Sequence, residues 1–154
     1  DLTTAAAESF KRFYPQVPLI LVDDGSGDAS TRTVLALAER LPRTSALVLA
    51  RNRGHGVAVD TGIRNASTRR VFVMDSDCVV EHGGFLEQME NRMLDAGLYA
   101  IGVLYYRDWV TTAYHNYLSC VAALYDRDVY LTLPPFEHHG DPMQQNMRAA
   151  AKRG

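Results

Sequence analysis

Three times in the first 80 residues a short apolar run stops at a polar turn, and a helical pattern follows the turn. Leu19-Ile20-Leu21-Val22 ends in Asp23-Asp24-Gly25-Ser26-Gly27-Asp28. A helix capped by Asp28 or Ser30 then carries Val34, Leu35, Leu37, Ala38 and Leu41 as far as Pro42. Residues 46–50 form the second run, Arg51-Asn52-Arg53-Gly54-His55-Gly56 its turn, and residues 57–66 its helix. The third run is VFVM within VFVMDSDCVV, residues 71–80; after Gly83-Gly84 comes a helix with Phe85, Leu86, Met89, Met93 and Leu94. Gly97 ends that helix and residues 98–104 give a further strand. Unbroken apolar runs bounded by turn residues belong to strands buried on both faces. Strand–helix alternation at this spacing implies right-handed crossovers, hence an α/β fold: a mainly parallel sheet with helices on both faces. A helix over residues 2–14, with Leu2, Ala5, Ala6, Phe10, Phe13 and Tyr14 on one face, precedes the first run and stops at Pro15.

Such sheets bind ligands beyond the carboxyl ends of their strands. Asp23, Asp24, Arg51, Asn52, Asp75 and Asp77 all fall there. On an extended chain Asp75 and Asp77, two apart, point the same way. Neighbouring carboxylates repel unless a cation lies between them, and hard divalent cations prefer oxygen ligands. Chance supplies about one D-x-D in a chain with this many aspartates. A second stands at Asp126-Arg127-Asp128, where the arginine could neutralise it. Only the first closes a buried strand. Arg51 and Arg53 suit charge-assisted contacts to an anionic ligand, or a solvated surface, equally well. His55 has no partner visible in the sequence and reads as loop structure.

At 154 residues and 47% hydrophobic content the chain reads as a single domain with a real core. A net charge of −2 gives no reason to expect nucleic acid. Cys78 and Cys120 have neither zinc-site nor C-x-x-C spacing, which suits a reducing compartment. No apolar run is long enough to span a bilayer. The expected setting is the cytoplasm, or the inner face of its membrane.

Beyond Tyr105 the pattern loosens. Tyr105, Tyr106, Trp109, Tyr114 and Tyr117 suit a sugar-stacking wall, but aromatics at mixed spacing read first as core. Periodicity leaves residues 117–131 open between helix and strand. Glu137-His138-His139-Gly140-Asp141 is a polar cluster before a final helix over 142–152. Adjacent histidines rarely point at one ion. Asp141 reads first as that helix's cap and second as a base.

LILVDDGSGDAS, ARNRGHGVAVDTGIRNAS and VFVMDSDCVV, in that order over residues 19–80, resemble family 2 glycosyltransferases of the Rossmann-like GT-A fold. Asp60 stands where the family usually has asparagine. The resemblance implies a sugar-nucleotide donor whose nucleoside bonds Asp23 or Asp24, with Arg51 and Asn52 beside them. It places Asp75 at the ribose or sugar, and Asp77 on a Mg²⁺ or Mn²⁺ that bridges the diphosphate. The reaction is then metal-dependent inverting transfer to a saccharide, lipid or protein acceptor, with Asp141 as base. In place of the family's Glu-Asp pair this chain has Asp141-Pro142. Residues 1–104 would form the nucleotide-sugar part and 105–154 the acceptor side. The family's GT-A fold has an inner strand ahead of the first helix. The 154 residues therefore read as a fragment truncated at both ends, with open strand edges, weak donor binding and little or no turnover of its own. Two other readings stand beside this one. A nucleotidyltransferase would want a glycine- and lysine-rich triphosphate loop, and none is visible; a non-catalytic nucleotide-sugar-binding or interaction domain would release no nucleoside diphosphate.

Overall fold

A computed structural model of the chain describes residues 1–105, 117–137 and 142–153. The Asp1 carboxylate accepts the Thr4 N–H at 2.8 Å and so caps α1 (Leu2–Phe13). β1 (Leu19–Asp23) leads to α2 (Ala29–Arg40), whose cap is Asp28, accepting the Ser30 N–H at 2.7 Å. β2 (Thr44–Val48), α3 (His55–Asn65), β3 (Arg70–Met74) and α4 (Phe85–Ala96) continue the alternation. Gly97 ends α4 in the left-handed conformation. β4 (Ala100–Tyr105), β5 (Tyr117–Asp126), the short α5 (Arg127–Tyr130) and α6 (Gln144–Ala151) follow.

Two expectations are corrected here. The sheet is not mainly parallel. β1 and β2 form a parallel pair, in register from Leu19↔Thr44 to Asp23↔Val48. β3, β5 and β4 form a separate three-stranded sheet in that order, and both of its pairings are antiparallel. The open segment 117–131 resolves mainly into β5, which lies between β3 and β4 and so stops them pairing in parallel. β2 also begins two residues earlier than expected. The Arg43 carbonyl accepts the Leu19 N–H at 2.9 Å, and pairing with β1 fixes the strand from Thr44. Among the described residues no hydrogen-bonded ladder joins β1 to β3; α3 packs against both.

Helices cover both faces of the antiparallel sheet. Phe72 stacks on Phe10 of α1 and tilts against Phe85 of α4. On the opposite face Val71 and Val73 pack with Ile63 of α3, Ala123, Tyr125, Tyr130, Phe136 and Met143. Fully buried Asn146 accepts the Tyr99 hydroxyl at 2.8 Å and donates to the Pro134 carbonyl at 2.7 Å, which fixes α6 to this core. Tyr130 donates to Asp60 at 2.5 Å, and Arg64 binds the other oxygen of that carboxylate at 2.8 Å. The acid at position 60 thus satisfies a buried tyrosine and a cation together.

β5 carries a register shift opposite Gly102 and Leu104. A Cβ at Gly102 would lie 2.5 Å from the Ala122 carbonyl oxygen, so the shift needs glycine. The second D-x-D is structural. Asp126 accepts from Arg69 at 2.9 and 3.0 Å, from Arg70, and from the first N–H groups of α5. Arg127 instead donates to the Ile63 and Arg64 carbonyls.

Candidate active site

The polar turns after β1, β2 and β3 meet, and particular side chains join them. Asp23 closes β1 and is only 5% exposed. Its carboxylate accepts the Thr31 hydroxyl at 2.6 Å and the Ser26 N–H at 3.3 Å. Burial alone would raise its pKa, but the Ser26 and Thr31 hydrogen bonds outweigh burial and lower it. Asp23 therefore holds its own loop in shape.

Asp24 reaches across to the next loop. Its two oxygens accept the Arg53 N–H at 2.9 Å and the Gly54 N–H at 2.7 Å, just ahead of α3. Backbone donors at a helix N-terminus favour a carboxylate there. Gly25 lets the loops touch. At φ +71° it has a backbone few side chains tolerate, and a Cβ would lie 2.3 Å from the Arg51 carbonyl carbon. The side chains of Arg51 and Asn52 beside it are exposed.

β3 ends at Met74, and residues 75–78 form a turn in which the Cys78 N–H donates to the Asp75 carbonyl at 3.2 Å. Asp75 and Asp77 thus sit on a turn rather than an extended strand, and the alternation argument for their convergence does not apply. Asp75 is half-buried; its N–H donates to the Val121 carbonyl at 3.1 Å and ties the turn to β5. Asp77 is exposed, and among the described residues its carboxylate meets only the Cys78 thiol, at 4.0 Å.

His55 is not mere loop structure. As the first residue of α3 it places Nε2 3.4 Å from Asp75 Oδ1 and Nδ1 3.8 Å from Cys120 Sγ on β5. The hydrogen bond to Asp75, and after it that to Cys120, push its pKa up to about 10 against the opposing effect of burial. Sequence reasoning missed both His55 and Cys120. Their only sequence signal is a histidine opening a helix after a strand-end loop, with its partner 65 residues away. His138, His139, Asp141, Tyr106, Trp109 and Tyr114 lie outside the described residues, as do the side chains of Tyr105 and Tyr117. The cap position of α6 falls on Met143.

Acids gathered at strand ends, in an α/β layer joined by loops, lie where domains of this class bind ligands. The family-level match is specific. The sequence profile of Glycosyl transferase family 2 matches residues 2–149, and the chain belongs to that family. Among curated proteins, one from Mycobacterium tuberculosis (strain CDC 1551 / Oshkosh) named among the glycosyltransferases is 36% identical over 86 residues, which is 56% of this chain and 25% of the relative. The succinoglycan biosynthesis protein ExoO of Rhizobium meliloti (strain 1021) is 42% identical over 64 residues, 42% of this chain and 18% of that protein. The chain thus spans a quarter or less of these relatives' length. Among solved structures, the mannosyltransferase PcManGT from Pyrobaculum calidifontis, in complex with GDP-Man and Mn²⁺, superposes with a TM-score of 0.69 at 20% identity. The alignment covers 97% of this chain and 48% of that one, and it shows a shared fold. Among the described residues no helix is long and apolar enough to cross a membrane.

Proposed function

We propose that this domain transfers a sugar, a hexose in kind, from a nucleoside-diphosphate donor to an acceptor hydroxyl, with inversion and with Mg²⁺ or Mn²⁺. The observation that carries this reading is the joining of three strand-end loops into one polar surface by Asp24 and His55, with Asp77 exposed beside it. The structural neighbour's GDP-Man and Mn²⁺ favour the same donor class and cation.

Asp24 takes the nucleoside in this reading. Asp23 is buried and committed to its loop, whereas Asp24 is half-buried and each of its oxygens keeps a lone pair. Arg51 and Asn52 flank the same site. Asp75, oriented through Oδ1 by His55, keeps Oδ2 for a ribose or sugar hydroxyl.

The exposed carboxylate of Asp77, weakly partnered, fits a hard divalent cation. Such a cation would offset the negative charge that develops on the departing nucleoside diphosphate. Inversion needs one base on the acceptor side to take the hydroxyl proton as oxygen attacks the sugar opposite the leaving group. Asp141 is assigned that role by the family resemblance. Asp141→Asn is expected to keep donor binding and lose transfer; normal transfer by the variant would remove the assignment. Release of nucleoside diphosphate from a panel of sugar nucleotides, with and without Mn²⁺, tests the reading. Mn²⁺-dependent release from one donor supports it, and release that is as fast in chelator as in Mn²⁺ would overturn it.

A further inference from the structure

The contact between His55, Asp75 and Cys120 joins three elements: the first turn of α3, the end of β3, and β5. The proposed function uses Asp75, and His55 as its orienting partner, and gives Cys120 no role. The three side chains carry a nitrogen, an oxygen and a sulfur donor. Taking one donor atom from each, all lie within 4.8 Å of one another. A tetrahedral zinc centre, with metal–sulfur and metal–nitrogen bonds of about 2.3 and 2.0 Å, separates its ligand atoms by roughly 3.5 Å. Closing these donors onto one ion thus takes movements on the order of 1 Å.

We infer that His55, Asp75 and Cys120 form a binding site for a thiophilic divalent cation of the Zn²⁺ class, separate from the hard-cation site at Asp77. The donor chemistry selects the ion. Thiolate and imidazole favour Zn²⁺ and its softer relatives, whereas Mg²⁺ and Mn²⁺ are served by oxygen ligands. Two features of the fold support the site. The register shift in β5 falls beside Cys120, which packs with the core residues on the α3 side of the sheet, toward His55. The His55 side chain is 42% exposed, which leaves an entry path and a position for water as fourth ligand. The imidazole now faces Asp75 through Nε2 and Cys120 through Nδ1. An ion takes one nitrogen only, so the ring must turn as the other donor comes round.

Occupancy would pin α3 to the central strand of the antiparallel sheet and withdraw Asp75 from the donor. Zn²⁺ should therefore oppose Mn²⁺-supported donor binding. That consequence rests on the function proposed above; the metal site itself does not.

Titration of the protein with Co²⁺ tests the site independently of activity, because a cobalt–thiolate bond gives a near-ultraviolet charge-transfer band. The band should appear at one equivalent, be displaced by Zn²⁺, and persist in Cys78→Ser and Asp77→Asn. It should vanish in Cys120→Ser. His55→Gln should weaken Co²⁺ binding by at least the roughly 10–100-fold that loss of a supporting residue costs a metal site. If Cys120→Ser does not fold, alkylation mapping of the unmodified protein serves instead, with Zn²⁺ protecting Cys120 and leaving Cys78 reactive. No band in the unmodified protein, a band that survives Cys120→Ser or is lost in Cys78→Ser, or equal alkylation of Cys120 with and without Zn²⁺ would overturn the site.

Discussion

Neighbouring aspartates do different work here. Asp23 is buried in its own loop, while Asp24 fastens two loops and is only half-buried. Asp24→Ala should lower stability by about 1 kcal/mol, as loss of a helix-capping acceptor does, and also weaken nucleoside-diphosphate binding. Asp24→Asn keeps one acceptor and should recover most of the stability without the affinity. Urea unfolding and calorimetry measure the two effects, and wild-type affinity in both variants would release Asp24 from nucleoside binding. Asp126 supplies the contrast, as an acid with a purely structural role. Burial would raise its pKa, but hydrogen bonds from Arg69 and Arg70 outweigh burial and lower it. Its ion pairs therefore contribute fully above the ordinary value of 3.8 and are lost as pH falls through the lowered one. Asp126→Asn should cost about 3 kcal/mol at neutral pH, the lower end for breaking a buried pair, because Arg69 is 65% exposed. The variant should also lose less stability in acid than the wild type; parallel acid unfolding curves would contradict this. The sequence showed which acids end strands, because that pattern is local. It could not show that His55 meets both Asp75 and Cys120, since those partners lie on other elements.

The strand–turn–helix units were legible as elements because each is bounded within the chain by Gly, Pro, Asp or a break in the apolar run. Pairing was not. β5 reads equally as helix or strand in isolation, and only β3 and β4 on either side decide it. The start of β2 was likewise hidden, because its register depends on β1. Gly25 holds the first two loops against each other. Gly25→Ala meets both a positive φ and the Arg51 backbone, and should cost about 2–3 kcal/mol while separating the first two loops. Denaturant unfolding would measure the cost. Unchanged stability, together with unchanged nucleotide binding, would mean that the loops do not depend on this contact.

At the scale of the molecule, family membership and the GT-A-type superposition agree with the α/β reading, while the division into a parallel pair and an antiparallel triplet departs from it. The sequence carries β1 and β3 to polar turns at one end of the layer without saying which edges are paired. α3 packs on both sheets and brings Asp24, His55 and Asp75 to that end together. In the function proposed above, these loop ends hold a nucleoside diphosphate through a hard cation at Asp77. Calorimetric titration of the protein with a panel of nucleoside diphosphates, in Mn²⁺ and again in chelator, tests it most directly. Binding of one nucleotide that requires Mn²⁺ and is abolished in a folded Asp77→Asn variant is the predicted result. Binding as tight in chelator as in Mn²⁺, or unchanged by Asp77→Asn, would contradict the claim.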